Sequence, residues 1–500
     1  MGERGANEHM KRFLILFLVL ALSLCSSAAG EAAETGESAR VSGETYEADR
    51  ESYKPSVPYS EELNEKEKAL DERLTEMKWI AESLYDENAD YGMVPRGDET
   101  ILSSELYQFC LALPKGGELH SHDNCAMPFD RYLSVIREDA MICLADGDTY
   151  GFLYARNNPD MPEGCLPLRQ VLEEGRLSED DLYDLFVLSE ADREGGFWNK
   201  LSRLFKMIKG LATDSSLTER IYEEQYRSCI DNGILLLEFR SVLKTDDEAN
   251  RAQLTPMLNA YYKVKKEYPD FTVRVIACSG KNERYTIEKA QETFRSAIRL
   301  KETLKDESDP ENPEDFIIAL DLVNEEDKSK PLSDYAYIFL ADEFIESGLK
   351  YILHCGESLR MDNESVIDAL LLGASRIGHG LNLYRFPLLM EIYRNADIAV
   401  ELCPISNHRL GYVYDLRLHP GLLLMRSGIR TVLGSDDGLF MTQRPQVDDF
   451  FAAILSWNLN LGDIKALCRN SIQYACLSPE ETDRLMQAWE SQWNAFVETF

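Results

Sequence analysis

Apolar residues in this chain fall either into short continuous runs or into positions spaced like one face of a helix. Beyond residue 114 eight runs rich in β-branched and apolar residues stand out, and helical spacing separates most of them. The runs are 118–122, 234–240, 271–278, 316–322, 351–354, 376–379, 398–403 and 429–435. Strands alternating with helices indicate parallel βαβ units, and eight units favour closure into a barrel. The pattern therefore predicts an α/β fold, a (β/α)8 TIM barrel over residues 111–500.

A helical stripe precedes the barrel, in a predicted helical segment over 59–110. Ser60 stands in the position of an N-cap, followed by Glu61 and Glu62. Apolar residues then recur at Leu63, Leu70, Leu74, Met77, Ala81 and Leu84. Such a stripe packs either on the barrel or on a second copy of the chain, and the sequence leaves both open. A homodimer through these helices is one expected partner.

The connection between the first two runs is far longer than one crossover helix requires. We expect a small insertion there, over about 130–184, as an addition to the barrel. Cys143 and Cys165 both lie within it. In an exported protein they are expected to form a disulfide that braces a segment with a small core; two unrelated thiols are the alternative.

The N-terminus has the pattern of a secretory signal peptide over 1–29. Lys11 and Arg12 precede an apolar run over 13–24, and small residues follow at 26–29. Twelve apolar residues are too few to span about 30 Å of hydrocarbon, which disfavours a membrane anchor. Lipid attachment at Cys25 is a further alternative, disfavoured because Leu24 precedes it. The pattern predicts secretion, with a flexible acidic linker over 30–58.

Charge and composition narrow the classes of partner. The chain has 53 basic and 88 acidic residues and a formal charge of -35, which repels nucleic acid and anionic membrane surfaces. Hydrophobic residues make up 44% of the chain, enough for a large core. A globular protein that binds neither nucleic acid nor a membrane is expected.

Four of the seven histidines stand at the ends of predicted strands: His120, His122, His354 and His379. Residues two apart in a strand share a face, so His120 and His122 direct both imidazoles to one point above the barrel. A His-x-His pair alone is weak evidence, but His354 and Asp436, at the ends of the fifth and eighth runs, add two ligands. Three histidines and one carboxylate suit one Zn²⁺ with an open position for water.

Three further residues have candidate roles in catalysis. Zinc lowers the pKa of a bound water toward about 7, which favours hydrolysis or hydrolytic deamination. Glu357 follows His354 by three residues and is expected to donate a proton, whereas His379 is expected to orient or deprotonate the water. A surface carboxylate and a core histidine are their respective alternatives. Asp437 is expected to bind substrate or water, with helix capping as its alternative.

Several motifs stand together and in order along the chain. They are Pro-Lys-Gly-Gly-Glu-Leu-His-Ser-His-Asp at 114–123, His-Cys-Gly-Glu at 354–357, Arg-Ile-Gly-His-Gly at 376–380 and Ser-Asp-Asp at 435–437. With them the chain resembles the adenosine deaminase family. It is most similar to the secreted growth-factor-type branch through 401–407, 321–327 and Phe-Trp-Asn-Lys-Leu from 197. That branch has a signal peptide, a helical dimerisation segment and a disulfide-bearing insertion, which match the predictions above.

The resemblance assigns roles to individual residues. It implies zinc on His120, His122, His354 and Asp436, proton donation to purine N1 by Glu357, and assistance by His379 to the attack on C6. It implies substrate contacts at Asp123, Trp198, Asn324 and Asp437. Asn324, Cys355 and Gly438 depart from the family's usual Gly, Ala and Pro; these departures leave the ligand set intact and bear on the fit of the purine.

Adenosine and 2′-deoxyadenosine are the expected substrates, and other functions stay open as alternatives. A two-metal amidohydrolase with a carboxylated lysine is disfavoured because 321–327 contains no Lys, and a nucleotide is disfavoured because no basic cluster flanks the motifs. The alternatives kept are deamination of another purine nucleoside and a receptor-binding, growth-factor-like protein.

Overall fold

We analysed a computed structural model of the chain. It describes residues 57–85, 99–144, 147–189, 192, 196–308 and 313–500. The predicted signal peptide, Cys25 and the linker as far as residue 56 lie outside the described residues. Val57 is already buried in the core.

Eight parallel strands form one sheet in the order β1-β5-β6-β9-β10-β11-β12-β13. They are β1 (Gly116–His122), β5 (Ile234–Val242), β6 (Thr272–Gly280), β9 (Ile317–Val323), β10 (Lys350–Cys355), β11 (Arg376–His379), β12 (Ala399–Leu402) and β13 (Thr431–Leu433). Each coincides with one of the eight predicted runs. A bridge between Ser121 and Asp436 joins the end of the sheet to its beginning. The predicted barrel is therefore confirmed.

Within the described ranges, five short strands lie outside the barrel. Three form a small antiparallel sheet, with β2 (Ala140–Ile142) between β3 (Leu153–Ala155) and β4 (Leu166–Pro167). The other two, β7 (Lys305–Asp306) and β8 (Glu314–Asp315), pair with each other just before β9.

Helices surround the barrel and connect its strands. In the described residues they are α1 (Glu65–Glu82), α2 (Glu99–Leu102), α3 (Glu105–Ala112), α4 (Phe129–Ile136), α5 (Leu168–Glu173), α6 (Glu179–Phe186), α7 (Phe197–Lys209), α8 (Ser215–Asp231), α9 (Asp247–Glu267), α10 (Ile287–Lys301), α11 (Ala336–Phe339), α12 (Asp342–Ile345), α13 (Ser365–Leu372), α14 (Pro387–Asn395), α15 (Pro404–Arg409), α16 (Pro420–Arg426), α17 (Gly438–Met441), α18 (Val447–Ser456), α19 (Leu461–Gln473) and α20 (Pro479–Thr499). Among these described helices, none has the length and apolar character needed to cross a membrane.

The N-terminal helix α1 begins later than the sequence predicts. Its N-cap is Asn64 rather than Ser60, because Asn64 accepts hydrogen bonds from the backbone of Lys66 and Glu67 while Glu67 bonds back to the Asn64 backbone. This reciprocal capping box satisfies three backbone N–H groups at the helix start.

The apolar stripe of α1 packs on the chain's own barrel. Leu70, Leu74, Met77 and Ala81 are buried in the main core, which includes apolar residues of α3, α19 and α20. The Lys78 ammonium donates to the Leu459 carbonyl and to the Asn458 amide oxygen, both at 2.8 Å. Trp79 and Ile80 are 70% and 56% exposed. The stripe that the sequence left unassigned therefore belongs to the core of a single chain.

The small antiparallel sheet lies inside the predicted insertion. The predicted disulfide between Cys143 and Cys165 joins the end of its central strand β2 to the start of β4. A second buried cluster joins this region to the loops at the carboxyl ends of the barrel strands. It combines Ile142, Leu153 and Leu204 with Leu381, Ile405 and Phe440. The insertion thus covers part of the barrel mouth; its limits at 130–184 stay a prediction.

Truncating Leu74 to Ala should destabilise the protein by about 2–5 kcal/mol, because this side chain is fully buried and its loss leaves a cavity. Ile80→Ala, on the exposed face of the same helix, should change stability by less than about 0.5 kcal/mol. Denaturant unfolding followed by circular dichroism measures both. Equal effects would mean that the stripe does not anchor the helix.

Candidate metal centre and active site

Four side chains predicted as metal ligands converge above the barrel. His120 and His122 stand at the end of β1, His354 near the end of β10, and Asp436 three residues after β13. One donor atom of each lies within 4.8 Å of all the others. His122 Nε2 is 3.1 Å from Asp436 Oδ1, and His120 Nε2 is 3.7 Å from the same oxygen. The backbone N–H of Asp436 donates to the His120 carbonyl at 2.7 Å. This bond holds the segment after β13 beside β1.

Two buried carboxylates orient two of these imidazoles. His120 Nδ1 lies 2.6 Å from Glu401, and His354 Nδ1 lies 2.6 Å from Asp321. Arg240 lies between the carboxylates and donates to Asp321 at 2.8 Å and to Glu401 at 2.7 Å. A carboxylate on Nδ1 fixes the tautomer whose Nε2 lone pair is free to bind a metal.

The donors fit a cation in both geometry and charge. His120 Nε2 is buried and has no hydrogen-bond partner among the described residues, although buried polar atoms are nearly always paired. Burial, together with the positive charge of Arg240, lowers the pKa of His354 well below its ordinary value, so this imidazole is neutral. Burial opposes ionisation of Asp436, but the neighbouring imidazoles of His120 and His122 outweigh it and lower the pKa of this carboxyl. Neutral imidazoles and an ionised carboxylate are what a metal requires.

Glu357 and His379 lie beside the four ligands. Their carboxyl oxygen and Nε2 are 3.7 Å apart, and both side chains are buried. Burial and then the charges of Asp436 and Glu326 raise the pKa of Glu357 well above its ordinary value. Burial lowers the pKa of His379, and its Nδ1 has no hydrogen-bond partner among the described residues. At neutral pH Glu357 can therefore donate a proton, and His379 can accept one.

Asp437 directly follows the ligand Asp436 and is also buried. It occupies the N-cap position of α17, yet within the described structure its side chain makes no capping hydrogen bond. The Cys125 thiol donates to it at 3.7 Å. Burial and the neighbouring charge of Asp436 raise the pKa of Asp437 to about 7. The alternative of helix capping therefore does not account for this carboxyl.

The other predicted substrate contacts lie on three different elements. Asp123 follows β1 and accepts hydrogen bonds from Tyr222 at 2.9 Å and from Ser241 at 3.1 Å. Trp198, at the start of α7, donates from its indole to the Tyr412 hydroxyl at 2.9 Å.

Asn324 follows β9 with a backbone φ of 110°, in the region that favours glycine. Its amide oxygen accepts a hydrogen bond from the Lys281 backbone at 3.2 Å. The side chain thus helps to hold a backbone conformation that a glycine would adopt without this bond.

Sequence reasoning did not assign roles to Asp321, Glu401, Arg240 and Tyr412. Asp321 and Glu401 each interrupt an otherwise apolar strand that is buried on both sides. A charged residue there needs a partner of opposite charge or a hydrogen-bonding role, and that was a usable signal. Tyr412 lies in a loop without regular structure, and its place beside Trp198 arises only from the fold.

A (β/α)8 barrel with three histidines and an aspartate at the carboxyl ends of its strands defines a metal-dependent hydrolase. The family model of adenosine deaminase matches residues 239–491, and the chain belongs to the adenosine deaminase family, in the branch of relatives named adenosine deaminase 2. It is therefore a hydrolytic deaminase.

Relatives match over most of the chain. An adenosine deaminase of Lutzomyia longipalpis is 29% identical over 89% of this chain and 91% of its own length. Adenosine deaminase 2-A of Danio rerio is 27% identical over 87% and 90%. An amidohydrolase of Burkholderia ambifaria with bound Zn has a TM-score of 0.57 at 14% identity, over 81% of this chain and 97% of its own. The Arabidopsis N6-mAMP deaminase has a TM-score of 0.55 at 19% identity, over 77% and 99%.

Asp321→Asn should weaken metal binding by about 10–100-fold, because an amide does not replace the carboxylate that accepts from both His354 and Arg240. Metal retained against a competing chelator, measured by elemental analysis, tests this. Asp362→Asn, on the surface, is the matched control and should retain metal as the unaltered protein does. Equal retention by the two variants would contradict the orienting role of Asp321.

Asn324→Ala should lower the free energy of unfolding by about 1–3 kcal/mol, because alanine tolerates positive φ poorly and loses the bond to Lys281. Asn324→Gly should be milder, since glycine adopts this φ freely. Thermal unfolding of the two variants side by side gives the comparison. A glycine variant less stable than the alanine variant would show that the backbone conformation is not the constraint.

Proposed function

We propose that the protein is a secreted, zinc-dependent adenosine deaminase that converts adenosine and 2′-deoxyadenosine to inosine and 2′-deoxyinosine with release of ammonia. Family membership supports deamination of adenosine. The observation that carries the proposal is the meeting, at one point, of four metal donors with a carboxyl of raised pKa and an imidazole of lowered pKa.

Zinc is the proposed metal, one per chain, held by His120, His122, His354 and Asp436. Three imidazoles and one carboxylate are typical zinc ligands, whereas magnesium and calcium prefer all-oxygen sites. When bound, zinc lowers the pKa of a coordinated water to about 7 and thereby supplies the nucleophile at neutral pH. Glu357 and His379 lie within reach of the same donor set, because each has a donor atom within 4.8 Å of Asp436.

The two proton-transfer groups complete the reaction. Glu357, kept protonated by burial, donates its proton to purine N1 as water adds to C6. His379 accepts one proton from that water and passes it to the amino group. The C6–N bond then breaks as the C6 hydroxyl loses its remaining proton, which restores Glu357, and ammonia leaves. Asp437, with only the weak Cys125 thiol donor in the described structure, is available to bind the purine ring.

The substrate is proposed to be a nucleoside rather than a nucleotide. Asp123, Trp198 and Asn324 are its proposed further contacts, with Asp123 and Trp198 toward the ribose. Burial raises the pKa of Tyr412, the partner of Trp198, and the negative charge of Asp327 raises it further. A negative electrostatic potential beside Trp198 favours a neutral ribose over a phosphate.

Location and assembly rest on separate observations. The charged, apolar and small-residue pattern over 1–29 and the Cys143–Cys165 disulfide both support export, since disulfides persist in oxidising compartments. For the homodimer, the exposed Trp79 and Ile80 of α1 offer an apolar contact beyond the stripe that packs on the barrel.

Glu357→Gln should lower kcat for adenosine by about 10²–10⁴-fold, because an amide N–H is far too weak an acid to give its proton to the purine. Glu364→Gln, an exposed carboxylate nearby in sequence, is the matched control and should retain activity. Turnover is followed by the change in ultraviolet absorbance as adenosine becomes inosine.

Removal of the metal with a chelator should abolish turnover, and added zinc should restore it. A metal-free protein that still deaminates adenosine would overturn the zinc assignment. A zinc-loaded protein without turnover would favour another purine nucleoside or a receptor-binding role.

A further inference from the structure

We propose that Glu326 is a positioning residue that holds Glu357 in place. It does so by fixing the turn Gly356–Glu357–Ser358, on which the catalytic carboxyl is carried. The inference rests on the proposed function, in which Glu357 is the proton donor. Glu357 lies on a turn beyond β10, which ends two residues earlier at Cys355.

The Glu326 carboxylate accepts four hydrogen bonds from this turn and from the start of α13. One oxygen accepts from the Gly356 backbone at 3.1 Å and from the Ser365 hydroxyl at 2.7 Å. The other oxygen accepts from the Ser358 backbone at 2.9 Å and from the Asn363 amide at 2.7 Å. The two backbone donors immediately flank Glu357. A single carboxylate is therefore hydrogen-bonded to the backbone on both sides of the catalytic residue.

The turn needs such a restraint because its backbone is unusual. Gly356 has a φ of 67°, and a Cβ there would lie 2.5 Å from Asn382 Oδ1 and 2.7 Å from Val366 Cγ1. Ser358 is held further by a bond from its hydroxyl to Asp327, and the Gly356 carbonyl accepts from the Asn382 backbone at 2.9 Å. The four bonds to Glu326, together with the bond to Asp327, join this turn to the segment that follows β9.

The position of Glu326 also links Glu357, the proposed acid, to Asn324, a proposed substrate contact. It opens a 3-10 helix, Glu326–Lys328, two residues after Asn324. The turn that is proposed to contact the purine and the turn that carries Glu357 are therefore joined through one side chain. A shift of about 1 Å in a catalytic group costs about 10²-fold in rate, which is the scale expected here.

A carboxylate suits this position because it accepts hydrogen bonds on both oxygens. In Glu326→Gln one of the two oxygens becomes an NH₂ group, which cannot accept from the backbone N–H of Gly356 or Ser358 that faces it. Glu325 supplies a matched control in the same segment: its carboxylate pairs with exposed Lys328 at 3.0 Å. Glu325→Gln removes the same charge from the neighbouring residue without touching the turn.

The experiment compares wild type, Glu326→Gln, Glu325→Gln, Glu357→Gln and the Glu326→Gln/Glu357→Gln double variant, all zinc-loaded and full length. Glu326→Gln should lower kcat about 10²-fold with KM within about threefold of wild type and metal content unchanged. Glu325→Gln should keep wild-type kcat. The double variant should be no slower than Glu357→Gln alone, because Glu326 acts through the carboxyl that has already been removed.

The outcomes separate this inference from the proposed function. A Glu326→Gln variant with the kcat of Glu325→Gln, or a double variant in which the two losses multiply, would overturn the positioning role while leaving deamination intact. A wild-type protein that does not deaminate adenosine, or a Glu357→Gln variant as fast as wild type, would overturn the proposed function instead. Should Glu326→Gln unfold, Glu326→Asp, which keeps both acceptor oxygens, takes its place in the same comparison.

Discussion

The buried charge of Arg240 is the interaction on which the site depends most. An unpaired guanidinium inside a barrel is very costly, and here it is offset by two carboxylates at hydrogen-bond distance. Those carboxylates in turn set the tautomers of His120 and His354. Arg376 adds a second cation, bonded to both Glu401 and Glu238. The metal donors are thus the upper end of a chain of paired charges that runs down the barrel interior.

Backbone conformation is the second constraint on the site. His379, Asp436 and Asn324 all have positive φ, which costs free energy for residues other than glycine. Each stands at or just beyond the end of a barrel strand, where the chain turns from the sheet into a loop. The strands and helices below hold these residues in conformations that an isolated peptide would avoid, and this directs their side chains into the mouth.

Much of the fold and of the candidate site could be predicted from the sequence. The eight strands were visible because strands buried on both faces form continuous apolar runs, and the ligands were visible because His120, His122 and His354 stand at strand ends. The start of α1 was misplaced because a capping box at Asn64 competes locally with Ser60. The contacts of Glu326 and Tyr412 could not be predicted, since both depend on how loops from different strands meet. The partner of the α1 stripe was likewise decided only by packing.

The second buried cluster makes the sequence of the insertion depend on the sequence of the loops around the site. Its members come partly from the disulfide-bearing insertion and partly from the loops that follow β11, β12 and β13. The insertion therefore does not pack as an independent module, because it shares one core with Leu381, Ile405 and Phe440. The loops that carry these three residues lie next to His379 and Asp437, so a change of side-chain volume in the insertion calls for compensating change close to the candidate site.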